Sequence, residues 1–142
     1  AIVRADPAED DVLRELVQQV DPRWIVSGIG EQPAVVHLRD FGLVGFTSGC
    51  VCVAPRLSQA MLRAVQTGDI EAAERVRAQC RPLEDLRNQI HPVRVLHAAV
   101  AAAEIAATGP LLPLLSDVDD QDLPAIAAAA RELRERNREA NA

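Results

Sequence analysis

The chain has 142 residues, of which 49% are hydrophobic, enough for a buried core and too apolar for a disordered segment. A formal charge of −6, scattered arginines and a total of three aromatics (Trp24, Phe41, Phe46) argue against a nucleic-acid partner, which needs a basic face or stacking platforms. No apolar run reaches the roughly 18 residues of a membrane span, since Glu104 interrupts the nearest, 98–107.

Ile2-Val3 reads as the end of a strand. Asp6-Pro7-Ala8-Glu9 then opens a helix: Asp6 suits the cap, Pro7 the first helical position, and Glu9 the reciprocal bond back to the cap. Val12, Leu13, Leu16, Val17 and Val20 recur at helical spacing, and Asp21-Pro22 stops the run. Trp24-Ile25-Val26 is expected to be a short strand buried on both faces of a parallel sheet. After a Gly/Ser-rich turn, 27–31, Pro33 starts a helix with Ala34, Val35, Leu38 and Phe41 on one side, closed by Gly42. The run 43–46 is the next strand, so one βαβ unit is expected, followed by the turn 47–55.

No further strand is expected beyond Pro55. A helix over 57–67 ends at Gly68, and Asp69 caps a second that runs to about Gln79. Pro82 is expected to open another helix, and His91-Pro92 to bend or restart it. An alanine-rich helix over 93–108, an apolar connector over 109–115 and a last helix from 119–122 complete the chain. The strand–turn–helix repeat is that of a parallel α/β barrel, in which loops after the strands carry chemistry. The reading divides the chain into the last β/α units of a barrel, 1–67, and a helical C-terminal extension, 68–142.

In order and spacing, these elements resemble the C-terminal half of the dihydrodipicolinate synthase / N-acetylneuraminate lyase family, class I aldolases and related dehydratases. Ser27-Gly28 resembles the turn ending the family's seventh strand, and 42–55 its eighth strand and following loop. Gly68-Asp69, the alanines Ala72, Ala73 and Ala78, Pro82-Leu83 and Pro113-Leu114 match recurrent family features. The chain departs from the pattern at Cys52, where the family often has Asn, and at Leu111 or Leu112, near a family Arg, which leaves the substrate open.

The resemblance implies the C-terminal part of a TIM (β/α)8 barrel belonging to a Schiff-base lyase, an aldolase or dehydratase acting on pyruvate or a related 2-keto acid. In that chemistry a lysine imine draws electrons from the substrate. This chain has no lysine, all fifteen basic residues being arginine, and the resemblance places the imine lysine at the end of the sixth strand, just before Ala1. No catalytic residue is therefore expected within the chain. The start on Ala1, where a Met is absent, points to a piece of a longer protein, with the N-terminal barrel half as its missing partner.

Substrate-binding candidates are Ser27, Gly28, Glu31, Val44 and Ser48. Ser27 and Gly28 meet the hydroxylated end of a substrate or form an ordinary strand-to-helix turn. Glu31 reads substrate hydroxyls or stabilises the start of its helix. Val44 packs against the lysine stem or is simply core, and Ser48 touches substrate or a neighbouring side chain. Gly28-x-Gly30 lacks the third glycine of a nucleotide fingerprint. Cys50-x-Cys52 has no second ligand pair nearby, so neither a metal nor a cofactor is expected, and small buried cysteines are the better account. Three cysteines cannot all pair, which favours a reducing, cytoplasmic setting. Family likeness and surplus apolar helix positions imply a homo-oligomer. The competing reading is a non-catalytic half-barrel that serves interaction or regulation.

Overall fold

The computed structural model describes residues 2–3 and 10–140. The expected cap at Asp6, with Pro7 and Glu9, lies outside the described residues. Two compact units emerge, one from Ala1–Ser48 with Ser58–Ala78, the other from Gly49–Leu57 with Gln79–Ala142.

The first unit is built on a three-stranded parallel sheet in the order β1 (Ile2–Val3), β2 (Val26–Ser27), β3 (Gly45–Phe46). Ile2 pairs with Val26 and Val3 with Ser27, and Val26 in turn pairs with Gly45 and Ser27 with Phe46. The carboxyl ends of all three strands therefore share one edge. Two helices, α1 (Asp10–Gln19) and α2 (Glu31–Phe41), form the crossovers. Leu13 of α1 and Ala34, Val35, Leu38 and Phe41 of α2 close a core with Ile25, Leu43, Met61 and Ala73. Gly42 ends α2 at φ +71°, a left-handed backbone that glycine adopts without the Cβ clash, and its N–H bonds the His37 carbonyl.

Trp24 corrects one expectation. It belongs to a 3-10 turn, Pro22–Trp24, and is 73% exposed; the strand starts two residues later. Asp21 explains this locally, because its carboxylate caps the turn by accepting the Arg23 N–H at 3.0 Å. Turn chemistry overrides the apolar character of the indole.

Two helices, α3 (Pro55–Thr67) and α4 (Ile70–Gln89), contribute residues to both units. Asp69 caps α4 as expected, accepting the Ala72 N–H at 3.0 Å. Pro82 does not open a new helix but lies inside α4. Proline removes one hydrogen bond to the carbonyl four residues back. That residue, Ala78, is exposed, so water can serve the carbonyl.

In the second unit α5 (Pro92–Ala102) packs against α6 (Leu123–Glu139). Ala99, Ala103 and Ala130 are fully buried there beside Val95, Ile126 and Leu133. His91 caps α5 by accepting the Arg94 N–H at 3.4 Å. The alanine-rich helix stops at Ala102, short of the expected Thr108, where Glu104 takes a left-handed φ of 54°. Arg131 Nε donates to the Ala102 carbonyl at 3.1 Å and Arg134 donates to that of Ala103, placing two cations at the negative end of α5. Asn137, near the end of α6, accepts the N–H groups of Arg56 and Leu57 at 2.9 and 3.3 Å and so satisfies the first turn of α3. Among the described residues no helix is long and apolar enough to cross a membrane.

Candidate functional site

The polar side chains of the first unit gather at the carboxyl edge of the sheet. Glu31 is the first residue of α2, so its carboxylate sits at the positive end of that helix, and it is fully buried. Two hydroxyls donate to the same oxygen: Ser48 Oγ, from the loop after β3, and Ser58 Oγ, from the first turns of α3, the latter at 2.7 Å. The two hydroxyl oxygens lie 3.2 Å apart. A buried carboxylate is tolerable when charge-assisted hydrogen bonds of this kind replace its water.

Ser27 closes β2 and is fully buried. Its Oγ lies 2.9 Å from His37 Nδ1 on α2, and its carbonyl accepts the Thr47 N–H at 2.8 Å. His37 is itself 1% exposed and meets Phe41 edge-on, with ring centroids 6.1 Å apart. Gly28 is half-buried in the β2–α2 turn, and Val44 is 46% exposed just before β3.

Of the five residues singled out from the sequence, the fold brings Glu31 and Ser48 into direct contact. Ser27 sits nearby in the chain but pairs with His37, and Gly28 and Val44 stand outside the hydrogen-bonded cluster. Sequence reasoning missed Ser58 and gave His37 only an outer-helix position. Each is a polar residue on a buried helix face, between apolar neighbours at Leu57 and Met61 or at Ala34 and Phe41. That interruption of an apolar stripe is the one signal that marks them.

Chemically, a hydroxyl that donates to a carboxylate keeps acceptor capacity on its oxygen. Ser48 is only half-buried, so the cluster reaches the surface of this unit through that residue. In the second unit the Cys50-x-Cys52 pair splits, one thiol buried and the other exposed, so the two do not converge as a chelate. A cavity of about 710 Å³ in that unit is lined by Arg94, His97, Ala98, Ala102, Asp117 and others, none of them a residue singled out from the sequence.

A model of the dihydrodipicolinate synthetase family matches residues 5–133. Among solved structures, the chain is similar to dihydrodipicolinate synthase from Bacillus clausii, at TM-score 0.76 and 22% identity over 92% of this chain and 45% of that one. It is similar to the Oceanobacillus iheyensis dihydrodipicolinate synthase at TM-score 0.68 and 27% identity, over 78% of this chain and 37% of that one. The 4-hydroxy-tetrahydrodipicolinate synthase of Methylacidiphilum fumariolicum aligns at TM-score 0.81 and 19% identity, over 99% of this chain and 46% of that one. No curated protein matches significantly. The chain thus spans less than half the length of each of these enzymes, and its fold corresponds to part of their barrel.

Proposed function

The chain belongs to the dihydrodipicolinate synthetase family, and from that premise we propose that it is the C-terminal part of a Schiff-base-forming lyase. In this reading the complete protein is an aldolase or dehydratase for pyruvate or a related 2-keto acid, and residues 1–142 alone are inactive. The family match over most of the chain is the observation that carries it. The chain's own contribution is shape and hydrogen bonding around an imine formed elsewhere. Ser48, whose hydroxyl donates to Glu31, lies at the carboxyl edge of the sheet, where barrel enzymes keep functional groups. Ser27 and Gly28 shape the neighbouring turn, and Val44 supplies an apolar surface. Borohydride reduction of the full-length protein with pyruvate tests this. Covalent trapping on a lysine outside residues 1–142 is expected, and none on the isolated chain beyond its terminal amine.

One observation favours a second reading, a half-barrel that serves interaction or regulation without chemistry. Val3 pairs with Ser27, so the carboxyl end of β1 lies level with that of β2. If β1 is the sixth strand, an imine lysine at that strand's end belongs near Val3, where the sequence is Ile-Val-Arg. A full-length protein that forms no reducible adduct with any 2-keto acid, yet is fully folded, decides for this second reading.

A further inference from the structure

The second unit carries two buried thiols. Cys50 lies in the three-residue turn Cys50–Cys52 after β3, and Cys80 lies in α4. Both are fully buried. Their sulfurs are within 4.8 Å of each other, and Cys50 Sγ approaches the Cys80 carbonyl oxygen at 3.8 Å. A disulfide needs about 2 Å between sulfurs. Closing the remaining gap requires side-chain rotation and a shift of the short turn. Cys52, in the same turn, is exposed. The turn therefore directs one thiol inward to a partner and the other out to solvent.

We propose that Cys50 and Cys80 form a redox modification site, an intramolecular disulfide closed by a small peroxide. The Cys50 thiolate attacks one peroxide oxygen, the O–O bond breaks, and hydroxide leaves as Cys50 becomes a sulfenic acid. The Cys80 thiolate then attacks that sulfur, forming the S–S bond and expelling a second hydroxide. The two thiol protons convert the hydroxides to water, so two sulfurs are oxidised and one peroxide is reduced. Burial selects the oxidant: local opening of the turn admits hydrogen peroxide, whereas bulky oxidised glutathione reaches only Cys52. The bond ties the turn that follows Ser48 in sequence to α4, thirty residues on.

The test treats native full-length protein with hydrogen peroxide, then unfolds, alkylates and maps it by mass spectrometry. The expected product is one cross-linked peptide pair joining Cys50 to Cys80, lighter by two hydrogens and restored by dithiothreitol. The Cys52→Ser variant is expected to give the same cross-link, and oxidised glutathione is expected to label Cys52 alone. Three results overturn the proposal: Cys50 and Cys80 still alkylated after Cys52 has been oxidised, a Cys50–Cys52 link, or a link between two chains.

Discussion

Glu31 is where the polar contacts of the first unit converge, and its removal is the sharpest single-residue probe. Glu31→Ala removes the shared acceptor of the Ser48 and Ser58 hydroxyls and leaves the buried Ser58 with a weaker partner in Ser48, at about 1–3 kcal/mol in all. Glu31→Gln keeps an acceptor oxygen and is expected to lose less; chemical denaturation midpoints of the two variants check the order. Asp21 supplies a pH prediction. The side-chain N–H groups of Arg23, helped by its backbone N–H, lower the Asp21 pKa from 3.8 to about 2. A depressed folded pKa means the contact is present above the ordinary carboxylate value and is lost as pH falls through about 2. NMR titration of the Asp21 carboxyl is expected to return that midpoint, and Arg23→Ala to raise it part of the way to the ordinary one, because the backbone N–H at residue 23 remains. At this scale, the placement of Glu31 and Ser48 at one edge was readable, because both follow strands in a parallel βαβ pattern. Ser58 and His37 were not, since a polar residue inside an amphipathic helix looks like any solvated position until a partner faces it.

The elements themselves were legible where backbone chemistry punctuates the chain. Gly42, Gly68-Asp69 and His91-Pro92 mark real boundaries, each through a left-handed glycine or a capping side chain. Pro82 misleads because an exposed proline deletes one solvated hydrogen bond without ending a long helix. The end of α5 was hidden, as alanine favours helix through residue 107 and only the left-handed Glu104, beside the arginine-satisfied carbonyls, stops it. Gly49 carries a test of packing at this level. A Cβ there would lie 2.8 Å from Leu96 Cδ1 and 2.9 Å from an Arg87 guanidinium nitrogen. Its φ of −83° suits any residue, so the cost of Gly49→Ala is that of pushing aside the ends of two flexible side chains. The expected cost is about 1 kcal/mol or less, at the low end of overpacking, read as a slightly lowered melting temperature.

At the scale of the whole molecule, the family was legible because several short motifs recur in one order, whereas the substrate was not, since the chain covers less than half of its structural neighbours. Leu112 and Leu114 are 69% and 90% exposed in the connector before α6, and Val44 is half exposed at the sheet edge. The neighbouring Leu112 and Leu114 offer apolar surface that an assembly can bury. The full-length protein is therefore expected to be a homo-oligomer by light scattering at micromolar concentration, and a monomer there contradicts the expectation. The Asn137 contact has a consequence in time. During synthesis, α3 emerges with its first N–H groups facing water, because the side chain that receives them is still eighty residues from being translated. Helices that carry their own caps, such as α4 with Asp69, can settle on the ribosome. The start of α3 must wait for nearly the last codon of this segment, so a nascent chain stalled before residue 137 should leave that turn open to proteases.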